Sequence, residues 1–187
     1  MKKKIPSLLL SAALAVSLLA GCGGNPSNND GSGSNAGPAK DTLVFSIPSE
    51  PTTLDATTAG ERITYLPVHA IHDTILAEDD NGKIVGNLVE SWEISEDNLT
   101  YTMKIREGVK FHQGQTMTVE DVMFSLQKST ENFAGRYSVI TNLEKVDDTH
   151  FKFTLAYPFS PVLNLLALTN ASVVCKETYE ANPEGYG

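Results

Sequence analysis

His69 and His72 stand three residues apart, a spacing that sets two side chains next to each other on a helix. Two imidazoles so placed are the beginning of a metal site, which would need further His, Cys, Asp or Glu ligands brought to them. His112 and His150 fall on segments read as separate strands. The pair is therefore expected to be ordinary half-buried helix histidines, with metal ligation as the alternative. Asp147 and Asp148 are adjacent carboxylates, but they sit between two strand patterns, where a solvated turn pair is the expectation over a proton-sharing dyad. No G-x-S-x-G offers a nucleophile on a sharp turn, and no glycine loop ending in Lys and Ser or Thr offers a phosphate cradle. No enzyme is read here, and no cofactor. The two cysteines, Cys22 and Cys175, make no disulfide framework, and Cys175 reads as a small buried hydrophobe.

The elements that would hold such groups can be read from periodicity. Tyr101, Met103 and Ile105 alternate with Thr102, Lys104 and Arg106, the period of a strand with one buried face. After Glu107-Gly108, Val109 and Phe111 resume the alternation until Gln113-Gly114, which predicts a hairpin made by these two strands. Thr118 followed by Asp121 resembles a capping box, so a helix is expected to start at Val119 and to pack Val119, Val122, Met123 and Leu126 on that hairpin. Residues 144–146 and Phe151, Phe153, Leu155 and Tyr157 flank Asp147-Asp148-Thr149 as a second hairpin. Upstream, residues 42–47 read as a first buried strand, ended by Pro48 and Pro51. Residues 63–76 read as a helix whose face is Ile63, Leu66, Ala70, Ile71 and Ile75, interrupted at Pro67. Residues 79–82 form a turn. Ser160 and Pro161 read as the N-cap and first residue of a helix carrying Leu163, Leu166 and Ala167. Residues 172–175 read as a short buried strand, and the remainder as a polar tail.

The order Leu88-Val89-Glu90-Ser91-Trp92, Ser95-x-Asp97, Tyr101-Thr102, Arg106-Glu107-Gly108-Val109-Lys110-Phe111-His112, Gly114 and Thr118-x-x-Asp121-Val122-x-Phe124-Ser125 resembles the signature of bacterial extracellular solute-binding protein family 5. Gln113 and Thr116 depart from it, at a surface turn. The resemblance implies an α/β fold, mixed α+β in the part present: a type II periplasmic-binding-protein-like first lobe with an inserted small domain. It implies a receptor of an ABC importer for peptides or a nickel complex, working as a monomer with a membrane permease. Ser49, Glu50, Pro51 and Thr52 correspond to the family's cleft loop and are the expected ligand contacts, with a plain strand-to-helix turn as the alternative. Asn182-Pro183-x-Gly185 is similar to the start of a further family motif, so the resemblance covers the front minority of a member, and a truncated or fragmentary copy is expected.

Lys2, Lys3 and Lys4 precede an apolar run at residues 8–20, too short for a comfortable membrane span, and Leu19-Ala20-Gly21-Cys22 resembles the lipobox of bacterial lipoproteins. That likeness implies diacylglycerol on Cys22 and display on the outer face of a membrane; an uncleaved anchor is the alternative. Residues 23–40, almost free of apolar side chains, read as a disordered tether reaching about 25 Å. The expected organisation is thus leader 1–21, lipidated cysteine and tether 22–40, first-lobe strand and cleft loop 41–54, inserted domain 55–160, and return to the first lobe at 161–187. The net charge of -9, with no Lys/Arg cluster after residue 4, speaks against nucleic acid as a partner. A surface-tethered interaction module or a remnant without ligand binding is the second functional reading.

Overall fold

In a computed structural model, residues 46–186 and Val44 are described. Cys22, the leader and the tether lie outside the described residues. So does most of the expected first strand, and Ser46 and Ile47 belong to no strand.

Helix α1 (Arg62–Ile71) leads into a small hairpin of β1 (Leu76–Glu78) and β2 (Ile84–Gly86). Asp79 closes the intervening turn by accepting from the amides of Asn81 and Lys83, both at 2.9 Å. Strands β3 (Val89–Ile94) and β4 (Thr100–Ile105), then β5 (Ile140–Lys145) and β6 (His150–Leu155), form one antiparallel sheet in the order β3-β4-β6-β5. Helix α2 (Val119–Asn132) connects its two halves. Short helices α3 (Ala134–Tyr137), α4 (Val162–Leu165) and α5 (Lys176–Ala181) complete the described chain, with 3-10 turns at Thr169–Ala171 and Pro183–Gly185.

Both central strands bury alternate residues: Tyr101, Met103 and Ile105 on β4, Phe151, Phe153 and Leu155 on β6. Tyr101 and Phe153 face each other across the pair and stack at 5.0 Å between ring centroids. Each edge strand carries a bulge, at Val89/Ser91 and at Ile140/Asn142. The extra residue turns Val89 and Trp92, and likewise Ile140 and Leu143, toward the same core despite their odd spacing. The opposite face is polar, with Lys152 on Glu144 at 3.2 Å, and stays in water.

Thr118 caps α2 as expected: its hydroxyl oxygen accepts from the Asp121 amide at 3.3 Å, and the Asp121 carboxylate accepts from the Thr118 amide at 2.9 Å. Val119, Val122 and Leu126 are fully buried, and the helix lies mainly over β5 and β6. The hairpin expected from residues 101–106 with 109–111 does not form. Both edges of β4 are already taken, by β3 and β6, so the hairpin is β3–β4, closed through Ser95, Asp97 and Asn98, the last at φ 58°. Residues 109–117 fold back on themselves instead. The Phe111 amide donates to Gln115 O and the Met117 amide to Val109 O, with Gly108 and Gly114 supplying the positive φ values this excursion needs.

Three further expectations change. Residues 172–175 are buried but bear only a single bridge, Ser172 to Thr74, because most of their neighbours are side chains rather than a strand. Ser160 caps nothing: α4 is one turn, with Pro161 at its N-cap position. The tail is polar, as read, but takes regular form as α5 and a 3-10 turn, neither of which buries a residue.

Candidate functional site

Residues 46–60 run as a loop whose second half is fixed and whose first half is open. Asp55 is buried and its carboxylate accepts from the Thr57 amide at 2.8 Å, the Thr57 hydroxyl at 2.9 Å and the Thr58 hydroxyl at 3.2 Å. Asn132 of α2 donates to Thr57 O at 2.8 Å, and the side-chain amide of Asn170 donates to Ala59 O. Ser49, Glu50 and Thr52 are exposed and Pro51 is half-buried. Among the described residues, the side-chain tie of this stretch is a long one, from the Thr52 hydroxyl to Glu61 at 3.4 Å. A loop fixed at one end and solvated at the other suits the expected ligand contacts, and equally suits a plain turn.

Ile47, Pro48 and Ser49 line a groove of about 430 Å³ with Arg62, Ile63 and Leu66. The helix faces differ from expectation. The residues α1 buries are Thr64 and Val68, whereas Leu66 is 55% exposed and Ile71 40% exposed. The buried Thr64 hydroxyl is satisfied by Glu61 O at 2.6 Å, and Ile75 and Leu76 have left the helix for the β1 side.

The histidines are closer together than the sequence reading allows. His69, His72 and His112 all line one open cavity of about 290 Å³, with Asp73, Lys110 and Phe111. His112 reaches it because the 109–117 excursion bends back toward the end of α1, a turn that the strand reading had extended away. Burial holds the His72 imidazole below its usual range, with Asp55 and Asp73 opposing and His112 reinforcing that shift. Among the described residues no group of three or more His, Cys, Asp or Glu is placed to hold a metal ion. Asp147 and Asp148 are exposed and play turn roles: Asp147 accepts from the Thr149 and His150 amides at 2.7 and 2.8 Å, and Asp148 pairs with Lys145 at 2.8 Å. These bonds hold the Asp147 carboxyl well below its usual range.

A stripe missed in the sequence joins this region to the sheet unit. Asp121, Ser125 and Ser129, four residues apart on α2, are all buried on the side away from the sheet. Asp121 accepts from the Lys176 amide at 2.8 Å, the Ser125 hydroxyl oxygen accepts from the Val174 amide at 2.9 Å, and the Ser129 hydroxyl donates to Asn170 O at 2.6 Å. The i, i+4, i+8 run of short polar side chains was the available signal, and it explains why residues 172–175 need no ladder. Around it, Phe124 meets Tyr179 edge-on at 5.4 Å between ring centroids, Tyr179 lies tilted against Tyr186 at 5.0 Å, and Tyr186 lies 6.5 Å from His72. Cys175 is buried and free, as expected.

Residues 83–187 match the family described as bacterial extracellular solute-binding proteins, family 5 Middle. The glutathione-binding protein GsiB of Escherichia coli (strain K12) is 31% identical over 164 residues, which is 85% of this chain and 29% of that protein. The solved structure of the periplasmic binding protein AgaA from A. tumefaciens R10, in complex with agropinic acid, superposes with a TM-score of 0.67 at 30% identity, covering 74% of this chain and 29% of that one. Listeria monocytogenes OppA, solved bound to peptide, superposes with a TM-score of 0.64 at 24% identity, covering 71% and 30%, a likeness of fold. The chain thus spans less than a third of the length of the relatives it matches. Its α/β architecture is that of the type II periplasmic binding proteins, and the chain belongs to bacterial extracellular solute-binding protein family 5.

Proposed function

We propose that this protein is the substrate-binding lipoprotein of an ABC importer, taking up a peptide or a nickel complex on the extracytoplasmic face of the cell membrane and presenting it to a membrane permease. The observation that carries this reading is the family match over residues 83–187, joined to an exposed loop at Ser49, Glu50, Pro51 and Thr52 beside an open groove. Recognition of this kind requires no reacting group, only a cleft with a few placed polar atoms. Binding would shift an open and closed equilibrium that the permease senses. The relatives named for glutathione and for bound peptide make short peptides, glutathione among them, the first ligands to try. The anchor is Cys22, with residues 1–21 as the leader and 22–40 as tether. Residues 41–54 and 161–187 are assigned to the first lobe and 55–160 to the inserted domain, and the protein acts as a monomer.

Isothermal titration with glutathione and a panel of di- to pentapeptides tests the reading. Saturable uptake weakened by Glu50→Ala supports it, and no heat with any of them contradicts it. Labelled palmitate should enter the protein in bacterial cells and fail to enter Cys22→Ala. The second reading, a tethered interaction module that does not bind solute, draws on the self-contained core of the sheet and α2. A cooperative melt that no solute shifts would favour it.

A further inference from the structure

Three imidazoles and an ammonium converge on one opening. His69 sits in the last turn of α1, His72 at its C-cap position, and Lys110 and His112 on the excursion at 109–117, and all four line the same cavity of about 290 Å³. One carboxylate shares that lining, Asp73. Asp55 is the further carboxylate close enough to favour the charged form of His72, and the Tyr186 ring lies 6.5 Å from the imidazole. Lys110 is exposed and its ammonium donates to the Thr116 hydroxyl, with no carboxylate partner among the described residues. His69 is exposed, as is His112, and among the described residues no side chain hydrogen-bonds either ring. The cavity beside α5 has the opposite character, with Glu120, Asp121, Glu177 and Glu180 set against Lys176.

We infer that this cavity binds a small tetrahedral oxyanion of the sulfate or phosphate kind, and that it does so when its imidazoles are protonated. Among the described residues these histidines are not placed to share a metal ion, so the chemistry open to them is that of protonated rings, which donate N–H to an anion. The donors are four separate side chains on two segments, which suits an anion that accepts on several faces. A planar carboxylate is matched better by the fork of an arginine, and no arginine lines this cavity. Charge sets the pH range. With the imidazoles neutral, Lys110 and Asp73 cancel; each proton taken up by a histidine then adds one positive charge to the lining. Burial, reinforced by His112, holds the His72 imidazole low, and an anion among the rings opposes both effects, so its binding takes up protons. Asp73 competes with the anion as an internal counter-ion. The reading of residues 49–52 as solute contacts plays no part in this site.

The test follows the histidine ring signals of the whole protein by NMR as sulfate is added at constant ionic strength, with chloride as the balancing salt. Sulfate keeps its full charge throughout, so any pH dependence belongs to the protein. Saturable shifts of the His69, His72 and His112 signals are expected, with binding about tenfold tighter at pH 6 than at pH 8. His112→Gln and Lys110→Gln, at exposed positions that leave the circular dichroism unchanged, should each weaken it by about threefold or more, and Asp73→Asn should tighten it. Shifts no larger than those chloride gives, equal affinity at both pH values, or binding indifferent to His112→Gln and Lys110→Gln overturns the inference. Acetate bound as tightly as sulfate overturns the tetrahedral class. Zinc ions bound saturably at pH 8, with no response to sulfate at pH 6, overturn it in favour of a metal site. Inorganic phosphate and phosphatidylglycerol vesicles, titrated in the same way, separate a free anion from a lipid headgroup: response to phosphate is expected, and response to vesicles alone overturns the inference. Peptide uptake is read separately by calorimetry, so failure of the receptor reading and failure of this site are distinguishable.

Discussion

The two sides of α2 hold the molecule together by opposite means. Toward the sheet, Val119, Val122 and Leu126 are fully buried against β5 and β6, in an apolar core that includes Tyr101, Met103, Phe151 and Phe153. Away from the sheet, Asp121, Ser125 and Ser129 bond the backbone of residues 170–176, and the apolar contribution is the small cluster of Ala56, Ala59, Val68 and Val174. The first kind of contact is non-directional and scales with area, at about 25 cal/mol per Å² of apolar surface. The second is directional, contributes about 1 kcal/mol net per bond, and costs more when one partner is left unmet. The sheet side should therefore behave as a self-supporting unit, and the loop side as a flank that opens first.

The contrast can be broken from the sheet side with the largest effect. Phe153→Ala empties a fully buried site between Tyr101 and α2 and should cost about 3–5 kcal/mol, measured by urea unfolding, with every region melting together. Asn170→Ala removes the donor to Ala59 O and the acceptor of Arg136 at 3.0 Å. It should cost about 1–3 kcal/mol, and hydrogen exchange should speed up at residues 55–60 while β4 and β6 stay protected. Equal acceleration in both places would erase the distinction. Thr118→Ala removes one half of the capping box and should cost about 1 kcal/mol, felt on both sides because Asp121 serves the cap with one oxygen and Lys176 with the other.

Acid sharpens the same comparison with the smallest effect. The His72 imidazole is held below its unfolded value because it is half-buried at the junction of α1, the Asp55 turn and the 109–117 excursion. The unfolded chain therefore binds the extra proton more readily. The contribution is fully present above the ordinary imidazole pKa, about 6.5, and is lost as pH falls through the depressed folded value. Melting followed from pH 8 to pH 5 should show a decline on the loop side that His72→Gln reduces. The turn carboxylate Asp147, held low by amide donors, adds its loss only in stronger acid, at the far end of β5–β6.

What could be read from the sequence follows the same division. The alternation of Tyr101, Met103 and Ile105, the turn at Asp147, and the Thr118–Asp121 cap are local patterns, and each appears in the fold where expected. The hairpin partner of β4 was misassigned because strand pairing is non-local: nothing within residues 101–111 reports that β3 and β6 already occupy both edges. The face of α1 was inverted for a related reason. Periodicity locates an apolar stripe but does not say what covers it, and in α1 the stripe of Ile63 and Leu66 faces a groove rather than the core. The gathering of His112 with His69 and His72 depends on the bend at Gly108 and Gly114, which a strand pattern conceals. The cleft loop at 49–52 could be read from family likeness alone, since its residue types are those of any turn.

Amide hydrogen exchange of the protein with and without glutathione or a short peptide tests the account most directly, because it reads the two regions and the proposed function in one experiment. The account predicts that ligand slows exchange at residues 46–60 and leaves β3 to β6 unchanged. Protection confined to the sheet, or identical exchange at every amide across the peptide panel, would contradict it.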